Sequence, residues 1–125
     1  MEKPSPLKEK SFAFSLTIIE ICRLLKENKV EYTLYNQLLR SGTAIGALIQ
    51  EAEFAQSKAD FINKLSIALK EANESAYWLD ILYGSRCLHQ TTGMNAGLLL
   101  KEIIRMLVSS IKTAKTNCQQ PIKRE

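Results

Sequence analysis

Cys87 and His89 stand two residues apart, the one place in this chain where a thiol and an imidazole fall together. Such a pair can act as nucleophile and general base, given a third group to orient the base and donors for an oxyanion. No oxyanion-hole motif flanks them, so they read as neighbours in a loop. His89 is also the only histidine. A di-iron centre in a helical bundle needs inward glutamates and Glu-x-x-His pairs. Glu51, Glu71 and Glu74 fall in helical stretches, but none has a histidine three residues on. Cys22, Cys87 and Cys118 are odd in number and far apart, a spacing that fits neither a zinc site nor a disulfide framework. Free thiols and a cytoplasmic setting are the expectation. Phosphate-binding glycine loops, dinucleotide fingerprints and nucleophile elbows are absent from the sequence. The reading is therefore a protein that is not an enzyme, with no catalytic residue, metal or cofactor.

Charge offers a different chemistry. The net charge is +4, but residues 1–84 hold ten basic and eleven acidic side chains, and residues 85–125 hold seven and two. The C-terminal third thus carries +5. Lys101, Arg105, Lys112 and Lys115 recur at helical spacing in a narrow band, and Lys123 and Arg124 follow in the tail. Cations in such a band bind phosphate if aligned on one surface, or serve only as a solvated face. Arg40, upstream, either meets a phosphate or pairs with Glu51, Glu71 or Glu74. The pairing is preferred, because an arginine among packed helices usually needs a carboxylate.

These side chains must be positioned by helices. At 125 residues, 46% of them hydrophobic and 24% charged, the chain suits one globular domain. The first ten residues, MEKPSPLKEK, do not resemble a secretion signal, and no apolar run is long enough for a bilayer. Apolar residues recur at steps of three and four in four stretches, predicting helices over 6–28, 33–56, 58–83 and 92–116 with a flexible tail at 117–125. Phe14, Ile18, Ile21, Cys22 and Leu25 form the first inward stripe; Leu34, Leu38, Ile45, Ile49 and Ala52 form the second. Phe61, Leu65, Ala68, Ala72, Ala76, Leu79 and Tyr83 make the third, and Leu99, Ile103, Met106, Leu107, Ile111 and Ala114 the fourth. Ser5-Pro6 and Ser57-Lys58-Ala59-Asp60 read as helix starts, and Gly84 as a helix end. With short turns between them, the elements predict an all-α, antiparallel, up-down-up-down four-helix bundle.

Two features exceed what a monomeric bundle needs. The third helix carries a second apolar group, Ile67, Trp78 and Ile81, with Tyr77 beside it, on the side away from its core stripe. A second burial surface predicts another subunit, with Ile67, Trp78 and Ile81 at the interface. Within QLLRSGTAIGALIQEA, Gly42 and Gly46 lie four apart and share a helix face. Glycine inside a helix costs about 1 kcal/mol relative to alanine, and close helix packing is the usual compensation.

The run QLLRSGTAIGALIQEAEFAQSKADFINKLSIALKEANESAYWLDIL resembles the signature of the four-helix-bundle proteins encoded in intervening sequences of bacterial 23S ribosomal RNA genes, and SFAFSL in the first helix is similar too. Arg40, Ser41, Gly42, Gly46, Glu51, Asp60, Phe61, Ala68, Leu69 and Glu74 stand where that family's pattern has them. Ala44 and Leu48 replace a serine and an asparagine, which favours packing over a polar site there. The resemblance implies a bundle assembled into a ring, most often a pentamer, with no established biochemical activity. A related branch, the accessory proteins of diversity-generating retroelements, implies a basic ring that binds nucleic acid and a reverse transcriptase. The expected function is a non-enzymatic homo-oligomer binding RNA or DNA through the fourth helix and tail. The alternative is a scaffold whose partner is a protein, a nucleic-acid-processing one among the possibilities.

Overall fold

The structure, a computed structural model, describes residues 5–119. Four helices account for most of them: α1 (Pro6–Glu27), α2 (Tyr32–Glu53), α3 (Lys58–Gly84) and α4 (Gln90–Gln119). No strand occurs among the described residues. The helices pack in a cycle, α1 on α2, α2 on α3, α3 on α4 and α4 on α1, which makes a four-helix bundle. Lys8 near the start of α1 meets Glu53 at the end of α2 at 2.8 Å. Lys64 early in α3 lies 4.0 Å from Glu51 late in α2, and Lys10 of α1 is 2.9 Å from Glu102 of α4. No described helix is long and apolar enough to cross a membrane.

Local chemistry sets the ends. Ser5 accepts from the Lys8 N–H, with Pro6 in the first turn where its missing donor is harmless. Ser57 caps α3 by accepting from Asp60 N–H at 3.0 Å, while the Asp60 carboxylate accepts from Gln56 N–H at 3.2 Å. That reciprocal bond needs residues 54–57 outside a helix, so α2 stops at Glu53 rather than at residue 56. Gly84 does not take the left-handed position expected of it. Arg86 does, at φ 64°, with Cys87 N–H on the Leu82 carbonyl and Arg86 N–H on that of Tyr83. This pair of bonds closes a helix whichever residue bears the strain. Helix α4 begins at Gln90, two residues before the expected start, because His89 caps it. Thr91 N–H donates to His89 Nδ1 at 3.3 Å, and Gly93 N–H to the His89 carbonyl at 3.0 Å. It also continues past residue 116 to Gln119, since the next breaker in the sequence is Pro121. Residues 120–125 of the expected tail lie outside the described residues.

Phe14, Ile18, Leu25, Leu38, Ile45, Leu82, Leu100, Ile103 and Leu107 are fully buried. Each contributes about 1.5–3 kcal/mol of burial. Tyr83, expected inward, is 47% exposed, and Leu82 takes its place. Tyr83 lies instead on the α4 side of the helix, beside Gly93. Leu100 and Ala96 likewise reach the centre, while Leu34, Phe61, Leu99 and Met106 flank it half-buried.

Gly42 and Gly46 of α2 face α1. A β-carbon on Gly42 would lie 2.9 and 3.0 Å from the two γ-carbons of Ile18, whereas one on Gly46 would lie 3.4 Å from Ser15 Oγ and 3.5 Å from the Ser11 carbonyl. Gly42→Ala should therefore lose about 1–2 kcal/mol, as overpacking outweighs the gain in helix propensity. Gly46→Ala should stay within about 1 kcal/mol of the parent, on the stabilising side. Urea unfolding followed by circular dichroism measures both; equal effects contradict this difference in packing.

Candidate functional site

Two clusters collect the residues that the sequence singles out. The first joins α2 to α3. Ser41 and Ser75 are both buried; Ser75 Oγ donates to Ser41 Oγ at 2.9 Å, and Ser41 Oγ to the Leu38 carbonyl at 3.4 Å. Towards solvent, Arg40 Nη2 donates to Glu74 Oε2, and Arg40 Nη1 lies 3.6 Å from Glu71 Oε2. The second distance is too long for a hydrogen bond. That Glu71 oxygen is buried and has no hydrogen-bond partner among the described residues, so its charge is balanced only by the guanidinium. Trp78 Nε1 donates to Glu74 Oε2 at 3.3 Å, and its ring meets Tyr77 edge-on at 5.2 Å. Glu51, the third possible partner of Arg40, faces Lys64 instead. Ser75 went unnoticed in the sequence, because a serine at a core position gives no periodic signal.

Around the same helix, Ile67 is 37% and Tyr77 57% exposed, while Trp78 and Ile81 are half-buried. Trp78 packs partly against its own core, so only part of its ring is open to anything else.

The second cluster is the outer face of α4. Lys101, Arg105, Lys112 and Lys115 are all exposed, and none forms an ion pair among the described residues. Lys8, Lys10, Arg40 and Lys64, by contrast, each face a carboxylate. Steps of four and three put the four cations within about 80° of one another around the axis. Met94, Leu98 and Val108 complete the same stripe and are 57%, 59% and 48% exposed. In the sequence the charges mark this face, and the single apolar residues between them give no signal of their own. Lys123 and Arg124, also expected to bind, lie outside the described residues.

No hydrogen bond joins Cys87 to His89 among the described residues. Cys87 Sγ accepts from Ser85 Oγ at 3.2 Å, and the His89 ring faces the first turn of α4. Burial pushes the Cys22 thiol up to about 11, and Cys22 Sγ donates to the Tyr35 carbonyl at 3.4 Å. A thiol held neutral in this way is packing, since the thiolate is the reactive form.

The α2–α3 cluster differs from an exposed pair such as Lys8–Glu53 in what it does for stability. Arg40→Met keeps an apolar stem but leaves Glu71 and Glu74 without their cation, and should cost about 1–2 kcal/mol, discounted for the half-exposed guanidinium. Lys8→Met breaks an exposed pair and should change stability by about 0.5 kcal/mol or less. Urea midpoints compare them, and an Arg40→Met loss no larger than that of Lys8→Met would deprive the α2–α3 cluster of its structural role.

Comparison with known proteins agrees with this architecture. No curated protein is close enough in sequence to count as a match. Among solved structures, a protein of unknown function from the S23 ribosomal protein family of Bacteroides thetaiotaomicron shares 45% identity and superposes with a TM-score of 0.83, over 85% of this chain and 98% of its own. The family described as 23S rRNA-intervening sequence protein matches residues 5–109, from the cap of α1 well into α4. The chain belongs to that family of 23S rRNA-intervening sequence proteins.

Proposed function

We propose that this chain is a non-catalytic subunit of an oligomeric ring that binds RNA or DNA along the outer face of α4. The observation that carries the reading is the row of Lys101, Arg105, Lys112 and Lys115, exposed and without an ion pair among the described residues, on a helix whose opposite face is core. Four aligned cations displace counterions from a phosphate backbone, and symmetry multiplies the row around a ring. The antiparallel, up-down-up-down course of the helices is supported by the pairings of Lys8 with Glu53 and Lys64 with Glu51. The ring itself, with five subunits, is what the resemblance to the intervening-sequence proteins implies. Exposed Ile67 and Tyr77, beside half-buried Trp78 and Ile81, support a contact between copies there. The setting is the cytoplasm, and a nucleic-acid-processing protein is a natural further partner.

A second reading has its own support. Phe12 and Leu16 on the outer side of α1 are 65% and 49% exposed, which suits a scaffold that docks a protein and uses no nucleic acid.

Salt separates the two. Binding of labelled RNA and DNA, titrated between low and moderate salt, should weaken with a log–log slope of about −3 or steeper for four phosphate contacts. Lys101→Gln with Arg105→Gln should flatten that slope by one to two. Affinity independent of salt, or no binding at low salt, overturns the nucleic-acid reading. Light scattering on the same preparation tests the ring, and a monomer overturns it.

A further inference from the structure

The apolar part of the α4 stripe borders a groove between α3 and α4 of about 420 Å³. Asp80 and Tyr83 stand on its α3 side, and Met94, Leu98 and Lys101 on its α4 side. The opening exists because two residues of α4 lack side chains. A β-carbon on Gly97 would meet nothing within 4 Å, and one on Gly93 would come within 3.8 Å of the Tyr83 ring. Tyr83 therefore rests beside bare helix backbone, with about half its surface open.

Along one helix face the order is thus Met94, Leu98, Lys101, Arg105, Val108, Lys112, Lys115. Apolar surface and an aromatic ring lead, without a break, into cations that form no ion pair among the described residues. We infer that the α3–α4 groove takes an unpaired base of a single-stranded nucleic acid, whose flanking phosphates lie on Lys101 and Arg105. This rests on the nucleic-acid reading above and goes further, for it says which form is bound.

The charges choose the occupant. A duplex presents α4 with phosphates and base edges but no base faces, because its bases are stacked and paired, so no base can lie flat on Tyr83, Met94 and Leu98. A single strand offers both parts that the stripe matches: flat apolar base faces, and anionic links between them. Asp80 sharpens the match. Its carboxylate repels phosphate from the groove itself, and can accept a hydrogen bond from a base N–H. The groove volume falls within the roughly 300–1,000 Å³ of small-ligand pockets, enough for a base.

The test compares labelled single strands of about 20 nucleotides with their duplexes at matched salt, using the full chain. Three variants accompany the parent. Tyr83→Ala and Leu98→Ser remove exposed groove surface, and Gly97→Leu fills the groove from a position where a side chain has room. Circular dichroism melting should give folded, parent-like proteins, with Gly97→Leu at least as stable. The expected result is tighter binding of single strands, weakened roughly tenfold by each variant with the salt slope unchanged. Duplex binding should not respond to the variants. Equal affinity for both forms, untouched by all three variants, overturns the single-strand inference and leaves the phosphate-binding face standing. Failure to bind either form removes both.

Discussion

The contact between Gly42 and Ile18 decides how near α1 can come to α2, and much of the bundle follows from it. With no side chain on Gly42, the branched end of Ile18 fills the space against the α2 backbone, and Ile18 is fully buried. One turn on, Gly46 admits the backbone of Ser11 and the hydroxyl of Ser15. Both serines turn their hydroxyls back onto their own helix, Ser11 to the Lys8 carbonyl and Ser15 to that of Ser11. A polar group thus enters a tight interface without leaving a donor unsatisfied. Interiors at this density respond to a single methylene, so the geometry is specified and not merely permitted.

The other flank of α2 uses the same device. Ser41 and Ser75 join α2 to α3 through a buried hydroxyl pair, and Arg40 closes the outer edge over Glu71 and Glu74. Helix α2 is therefore held on both sides by small or locally satisfied residues. Helix α4 is held differently, by large apolar residues on one face, with Gly93 and Gly97 leaving its contact with α3 partly open. Close packing on one side and a grooved, basic face on the other set the two halves of the molecule apart.

Much of this was legible in the sequence, for identifiable reasons. Buried stripes such as Phe14, Ile18, Ile21, Cys22 and Leu25 announce themselves by period, and all five are buried. The start of α3 was legible in Ser57 and Asp60, whose side chains can cap in only a few ways. Helix ends were less so: either Gly84 or Arg86 can close α3, and it is Arg86 that takes the left-handed position, with buried Leu82 and Leu88 on either side of the turn. The cap of α4 was hidden because a histidine ring seldom serves there. Arg40 had three carboxylates within reach on paper, and tertiary geometry gave it two, Glu71 and Glu74. The groove was not legible at all. It depends on what Gly93 and Gly97 fail to fill, and on Tyr83 swinging away from the core.

A double-mutant cycle on Gly42 and Ile18 tests the central contact directly. Ile18→Ala removes both γ-carbons that a new β-carbon at position 42 would strike. In the parent, Gly42→Ala should lower the free energy of urea unfolding. In the Ile18→Ala background the same change should raise it, because helix propensity then acts without the clash. The two substitutions should couple by about 1–3 kcal/mol, within the range for residues in contact. Additive effects, with Gly42→Ala equally destabilising in both backgrounds, would contradict the account.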